Sequence, residues 1–276
     1  MPQKCPLKVN RPKPRLYNRR LIRSGNVLEL YEYGKPVMRG AVVHGSAFYG
    51  RANAPYTSAE TKRENRAKIA RRARETVRRT INANPQLDKF FTLTYAENLQ
   101  DVPQARKEFD VFIKRLKRLH PHLQYVCVIE FQKRGAIHFH LLCNLPYVEQ
   151  STLQSLWGHG IVHIQRLDNV DNIGAYMTKY MSKGNIDDRL VGHKCYTMSR
   201  GLKQPQEYTT EEEIEEALAA VENVKRVYTA EFESEYYGTI RYTQIICERQ
   251  PQSPRRTTKP RNRWGAGGVP QYQQRK

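Results

Sequence analysis

Cysteine is scarce and scattered: Cys5, Cys127, Cys143, Cys195 and Cys247 are an odd number, and no two form a C-x-x-C pair. A disulfide framework and a structural zinc site therefore have no support, and a reducing cytoplasm fits. Long apolar runs are missing as well. Stretches such as residues 126–129 are far too short to cross a bilayer, so no membrane partner is expected. The first thirty residues hold no apolar signal core, so secretion is not expected either. No G-x-x-x-x-G-K-[ST] phosphate loop occurs, and nothing repeats with a period that would build a solenoid. Acid is in short supply: 27 Asp and Glu stand against 47 Lys and Arg, a formal charge of +20. This balance argues against an acid-rich protein surface and for a polyanionic partner, most simply nucleic acid.

The 276 residues are 39% hydrophobic, enough for a core of ordinary size in one large domain or two small ones. The charge is uneven along them. Residues 1–26 carry eight Lys and Arg and no acid, and prolines at 2, 6, 12 and 14 argue against a helix. We read residues 1–57 as an extended basic arm and residues 249–276, again acid-free, as a disordered basic tail. Residues 58–84 read as a helix with the apolar stripe Ile69, Ala73, Val77 and Ile81. Its arginines, among them Arg71, Arg72, Arg78 and Arg79, form either a solvated face or a face laid against a phosphate backbone. Residues 206–248 start with acids 211–216, behind the cap candidates Thr209 and Thr210, and read as an accessory segment.

Residues 85–205 carry the pattern of a folded domain. Strands are predicted over 89–95, 123–131, 136–142 and 160–167, and helices over 103–119, 152–157 and 170–183. The order β-α-β-β-α-β-α, with one tight turn at Lys133-Arg134-Gly135, implies an α+β fold. Its expected form is a ferredoxin-like antiparallel sheet covered by helices, with basic N- and C-terminal extensions.

Two places in that frame carry chemistry. His138 and His140 flank Phe139 within a strand, so both imidazoles emerge on one face. A hairpin centred near Arg134 sets Glu130 opposite His138, with Cβ atoms ~5 Å apart. Two imidazoles and a carboxylate on one face can hold a divalent cation or non-haem iron, and a His-x-His pair also occurs as plain core or surface filling. His120 and His122 share the spacing, but Pro121 puts them in a loop; His159 and His163 read as packing or surface residues. The second place is the helix with Tyr176 and Tyr180 one turn apart, flanked by Lys179 and Lys183. Ile173, Met177 and Met181 form a separate apolar row. A phenol with a pKa of about 10 attacks poorly at neutral pH unless its anion is stabilised or its target polarised. Lysines offer the first, and a cation beside a phosphodiester offers the second.

Residues 90–95 (Phe-Phe-Thr-Leu-Thr-Tyr), 130–140 and 176–183 occur in that order. Together they resemble the three motifs of HUH endonucleases that initiate rolling-circle replication, closest to the Rep proteins of single-stranded DNA phages and small plasmids. Residues 157–160 and 199–205 also look like stretches of such proteins, so the resemblance covers roughly 60–205. It implies an HUH catalytic domain over 85–205 and Mg²⁺ or Mn²⁺ on His138, His140 and Glu130. It implies nicking of one strand of origin DNA through a 5′-phosphotyrosine, with Tyr176 ranked ahead of Tyr180 and Lys179 assisting. The phosphates would be gripped by Arg71, Arg72, Arg78, Arg79, Lys183 and Arg200. With no helicase motif in the chain, a host helicase is the expected partner, in the cytoplasm of a bacterial host. A sheet-based single-stranded nucleic-acid binder without chemistry, and a tyrosine transposase or relaxase, remain open beside this reading.

Overall fold

The computed structural model describes residues 15–39, 59–168, 170–181, 188–190 and 192–249. It is an α+β structure with two antiparallel five-stranded sheets. Strands β1 (Arg15–Ser24) and β2 (Val27–Arg39) come first, followed by helix α1 (Ala59–Asn82). Then come β3 (Lys89–Leu93), α2 (Val102–Leu119), β4 (Tyr125–Phe131), β5 (Ile137–Cys143), α3 (Gln150–Trp157) and β6 (Val162–Arg166). After α4 (Ile173–Met177) follow β7 (Tyr196–Met198), β8 (Gln206–Tyr208), α5 (Glu211–Ala219), β9 (Val224–Ser234) and β10 (Gly238–Cys247).

The central sheet has the order β6-β3-β5-β4-β7. It contains all four predicted strands, plus β7 at one edge. Alternation along β5 splits its side chains between two cores. Phe139 and Leu141 face the cluster built with Phe109, Phe112 and Leu116 of α2 and Trp157 of α3. Leu142 faces the cluster built with Val77 and Ile81 of α1 and Ile173 and Met177 of α4. Asp101 caps α2 by accepting from the Gln104 N–H, and Pro103 sits in the first turn, where its missing N–H costs nothing. The expected buried stripe of α1 differs at one residue: Ile69 is exposed and Ala70 is buried. A spacing of four drifts off a helix with 3.6 residues per turn, so the buried line follows 70, 73, 77 and 81.

The second sheet corrects the reading of the chain ends. Its order is β8-β1-β2-β10-β9, so residues 15–39 form two paired strands rather than an extended arm. The segment over 206–248 likewise contributes three strands beside the predicted helix, which is α5. Leu21, Leu28 and Leu30 of this sheet bury Ile214 and Ala217 of α5, and that helix begins at Thr210, whose hydroxyl accepts from the Glu213 N–H. The remainder of the arm (1–14 and 40–58) and the tail over 250–276 lie outside the described residues.

Glu29 of β2 is 1% exposed and joins this sheet to α1. Arg79 Nε donates to Glu29 Oε2 at 2.7 Å, Arg78 binds the other oxygen, and the Tyr242 hydroxyl donates to it at 3.0 Å. Burial alone would push the Glu29 carboxyl up, but the Arg79 bond and the two guanidinium charges outweigh it and hold the carboxyl below its ordinary range. Glu29→Ala leaves two guanidinium groups facing a vacated buried site and is expected to cost about 3–5 kcal/mol in urea denaturation. A loss under about 0.5 kcal/mol would contradict the role assigned to Glu29. A carboxyl lowered on folding stabilises above its unfolded pKa and loses that contribution as the pH falls through its folded value. The stability gap between wild type and Glu29→Gln should therefore close in acid.

Candidate active site

The β4–β5 hairpin brings the predicted carboxylate and imidazoles together. Its turn closes with Gly135 N–H donating to Gln132 O, and Gly135 takes a φ of +95°, which a residue with a Cβ adopts only under strain. The register then sets Glu130 opposite His138 and Val128 opposite His140. Glu130 leans diagonally, so that its Oε2 lies 2.7 Å from His140 Nε2. The other ring nitrogen, Nδ1, lies 3.3 Å from Thr92 Oγ1 on β3, the strand paired with β5 on its other side. With the proton on Nε2, the ring donates to Glu130 and accepts from Thr92. A hydroxyl can accept as well as donate, so Thr92 holds the ring in either tautomer.

Both imidazoles are nearly buried, His138 at 7% and His140 at 3% exposure. Burial, with the neighbouring His140 ring, pushes the His138 pKa down to about 4, so that ring is neutral near pH 7. A neutral imidazole is the form that ligates a metal. In kind, then, two imidazoles and a carboxylate on one sheet face fit a divalent cation. The three are not drawn into a tight cluster: among the described residues no group of three or more His, Cys, Asp and Glu is. Binding an ion requires Glu130 to exchange its bond to His140 Nε2.

The tyrosines stand on the same face. The helix predicted over 170–183 is shorter, ending at Met177, and a 3₁₀ turn over Thr178–Tyr180 continues it. Asn172 caps α4 by accepting from the Ala175 N–H. Gly174 packs against the end of α1, where a Cβ would strike the Arg78 carbonyl; its N–H donates to Asn82 Oδ1 at 2.8 Å. Tyr180 stacks on the His140 ring with centroids 3.9 Å apart, and Phe90 stacks on Tyr180 and meets Tyr176 edge-on. The Tyr180 hydroxyl lies 3.2 Å from that of Tyr176 and donates to it, while Gln165 Nε2 of β6 donates to the same Tyr176 oxygen at 3.0 Å. Lys179 Nζ is 5.4 Å from the centre of the Tyr176 ring. Burial, the Tyr176 bond and the Glu130 charge push the Tyr180 phenol well above its ordinary pKa.

Thus Glu130, His138, His140, Tyr176, Tyr180 and Lys179 share one face of the central sheet. The cations expected to grip DNA do not all join them. Arg71 and Arg72 are exposed on α1. Arg78 and Arg79, by contrast, are committed to Glu29, a partner some fifty residues away that helix periodicity does not reveal. Arg200 is exposed beyond β7, at the opposite end of β4 from Glu130, and Lys183 lies outside the described residues. His120 caps the end of α2, and His159 packs on Trp157 and Tyr95. His163 is exposed opposite Thr92, one strand beyond it from His140. Sequence reasoning passed over Thr92 as an orienting group, and Gln165 entirely. Their signal was strand parity, since each lies on a strand register shared with β5 or with Phe90.

Residues 88–185 match the model of the family described as replication-associated protein ORF2/G2P. The matched segment contains the hairpin and both tyrosines. No curated protein and no solved structure matches the chain. Among the described residues no helix is long and apolar enough to cross a membrane.

The buried, neutral His138 yields a measurable expectation. In metal-free protein its ring should titrate near pH 4 by NMR, well below a free imidazole at about 6.5. Because its pKa is lowered on folding, His138 stabilises the fold above about 6.5, and that contribution drains away as the pH falls towards 4. A midpoint near 6.5 would contradict the burial argument.

Proposed function

We propose that the chain is a rolling-circle replication initiator that nicks one strand of origin DNA through a covalent tyrosine intermediate. The observation that carries this reading is the seating of two tyrosines against an imidazole of the Glu130–His138–His140 face, with Tyr180 stacked on His140. A buried structural tyrosine needs a hydrogen-bond partner, but it has no need of a second phenol, a lysine and a carboxylate–imidazole pair around it.

The residues divide the chemistry as follows. Tyr176 attacks phosphorus: a bond forms from its oxygen to the phosphate, and the bond from phosphorus to the 3′-oxygen breaks. The phenolic proton is given up, and the departing oxygen gains one to become a 3′-hydroxyl. The 5′-phosphate stays on the tyrosine, and a later 3′-hydroxyl reverses the step and rejoins the strand. Tyr176 suits the nucleophile because its oxygen accepts from both Gln165 and Tyr180, bonds that strengthen as negative charge develops there. Lys179 adds a positive charge beside it. Tyr180 is the donor in that pair, which makes it the harder phenol to ionise, and it serves a second cleavage once Tyr176 is occupied. Glu130, His138 and His140 would hold Mg²⁺ or Mn²⁺, and when bound such an ion supplies charge withdrawal from the phosphodiester. Thr92 keeps the His140 ring turned to the site. Strand separation at the origin falls to a host helicase.

End-labelled single-stranded origin DNA incubated with the protein and Mn²⁺ should yield a covalent protein–DNA adduct, abolished by chelator and by His138→Ala. Tyr176→Phe should slow adduct formation by about 100-fold or more, and Tyr180→Phe less. Full adduct formation in the double Tyr176→Phe, Tyr180→Phe variant would refute the mechanism; a normal rate in Tyr176→Phe alone would move the first attack to Tyr180.

A further inference from the structure

The second sheet has two unlike faces, and only one of them is explained by α5. On the other, rings follow one another across three strands: Tyr237 contacts Tyr33, Tyr33 stacks with Tyr31 at 6.3 Å, Tyr31 meets Tyr242 at 5.0 Å, and Tyr242 meets Tyr228. Register places Phe232 on the same side, since it pairs with Ile240, which in turn pairs with Tyr33. Tyr228 and Phe232 are 60% and 47% exposed, far more than core residues of a sheet that size allow.

Charge is sorted between the two faces by the strand alternation. Glu32, Glu231 and Glu233 lie with the α5 side, where Arg19, Arg241 and Thr239 engage them. The acids on the tyrosine side are Glu29, buried under Arg78 and Arg79, and Glu207 at the edge, paired with Arg20. Among the described residues of these strands, no unpaired carboxylate remains on the tyrosine side. Arg226 is exposed there, and α1, which reaches Tyr31 through Arg79, carries the exposed Arg71 and Arg72 two turns further on. Glu75 of α1 lies beside Tyr31 as well, facing Arg79. Partly exposed rings in series, with cations at the margin and the acids paired or turned away, match the chemistry of an unpaired nucleic-acid strand, whose bases stack and whose phosphates need positive charge.

We propose that this tyrosine-bearing face is a stacking platform for single-stranded DNA, distinct from the face that cuts it. It adds a holding surface to the reading above, and it rests on that reading only in taking DNA as the polymer. The formal charge of +20 favours a polyanion over a protein partner for such a face.

The test measures binding of a labelled oligo-dT and of a blunt duplex of equal length by fluorescence anisotropy, at one fixed salt concentration. The full chain is used in the double Tyr176→Phe, Tyr180→Phe background and in chelator, so binding is read independently of cleavage and the two proposals fail separately. Tyr228→Ala with Phe232→Ala should weaken oligo-dT binding by about tenfold or more and leave duplex binding within about twofold. Val227→Ala with Thr229→Ala, on the opposite face of the same strand, should change neither. Both pairs are surface changes, and unaltered circular dichroism confirms that the fold survives. Unchanged oligo-dT affinity, or an equal loss on duplex, overturns the platform. So does self-association of the protein that disappears in the Tyr228→Ala, Phe232→Ala variant while oligo-dT affinity stays, which would make the face a seat for a second copy.

Discussion

The architecture depends on the last two turns of α1, where a buried carboxylate faces two guanidinium groups. Taking Glu29 out of water is costly, and the attraction repays it only because Arg79 and the Tyr242 hydroxyl satisfy its oxygens as well. The same turns also hold the helix to the tyrosine segment. The Arg78 carbonyl rests against Gly174, and Asn82 accepts from the Gly174 N–H while donating to Asn172. Asn26, at the turn between β1 and β2, donates to Asp171 O and to Cys247 O, tying that junction to the loop before α4 and to the end of β10. Tyr176 therefore stands where it does because a helix is gripped by one sheet while it packs on the other.

What could be read in the sequence was what short-range geometry decides. A two-residue side-chain period and one turn were enough to set Glu130 opposite His138, because a hairpin's register follows from its loop. A four-residue spacing put Tyr176 beside Tyr180 even though the α-helix gives way to a 3₁₀ turn between them. The second sheet was illegible for the opposite reason. Its central pairing joins β2 to β10, some two hundred residues apart, and although each closes a hairpin with its chain neighbour, neither hairpin reveals the other. Basic residues in β1 looked like a solvated arm because their acidic partners, Glu211 and Glu215 for Arg19, come from the far end of the chain. Arg78 and Arg79 misled in the same way: charge on a helix face is visible in sequence, but whether it faces water or a buried carboxylate is not.

The excess charge and the chemistry are thereby separated in space. Near His140 the protein keeps its ionisable groups neutral or paired: His138 is held unprotonated by burial, and Glu130 is bonded to an imidazole. On the proposed reading, neutral imidazoles and a hydrogen-bonded phenol pair would act on the phosphate placed within reach of the Tyr176 oxygen. Grip can then be supplied from elsewhere, by exposed arginines and aromatic rings that need no such precision. On that reading, holding a strand and cutting it make opposite demands on a surface, and the clamp at Glu29 joins through α1 the two sheets that would meet them.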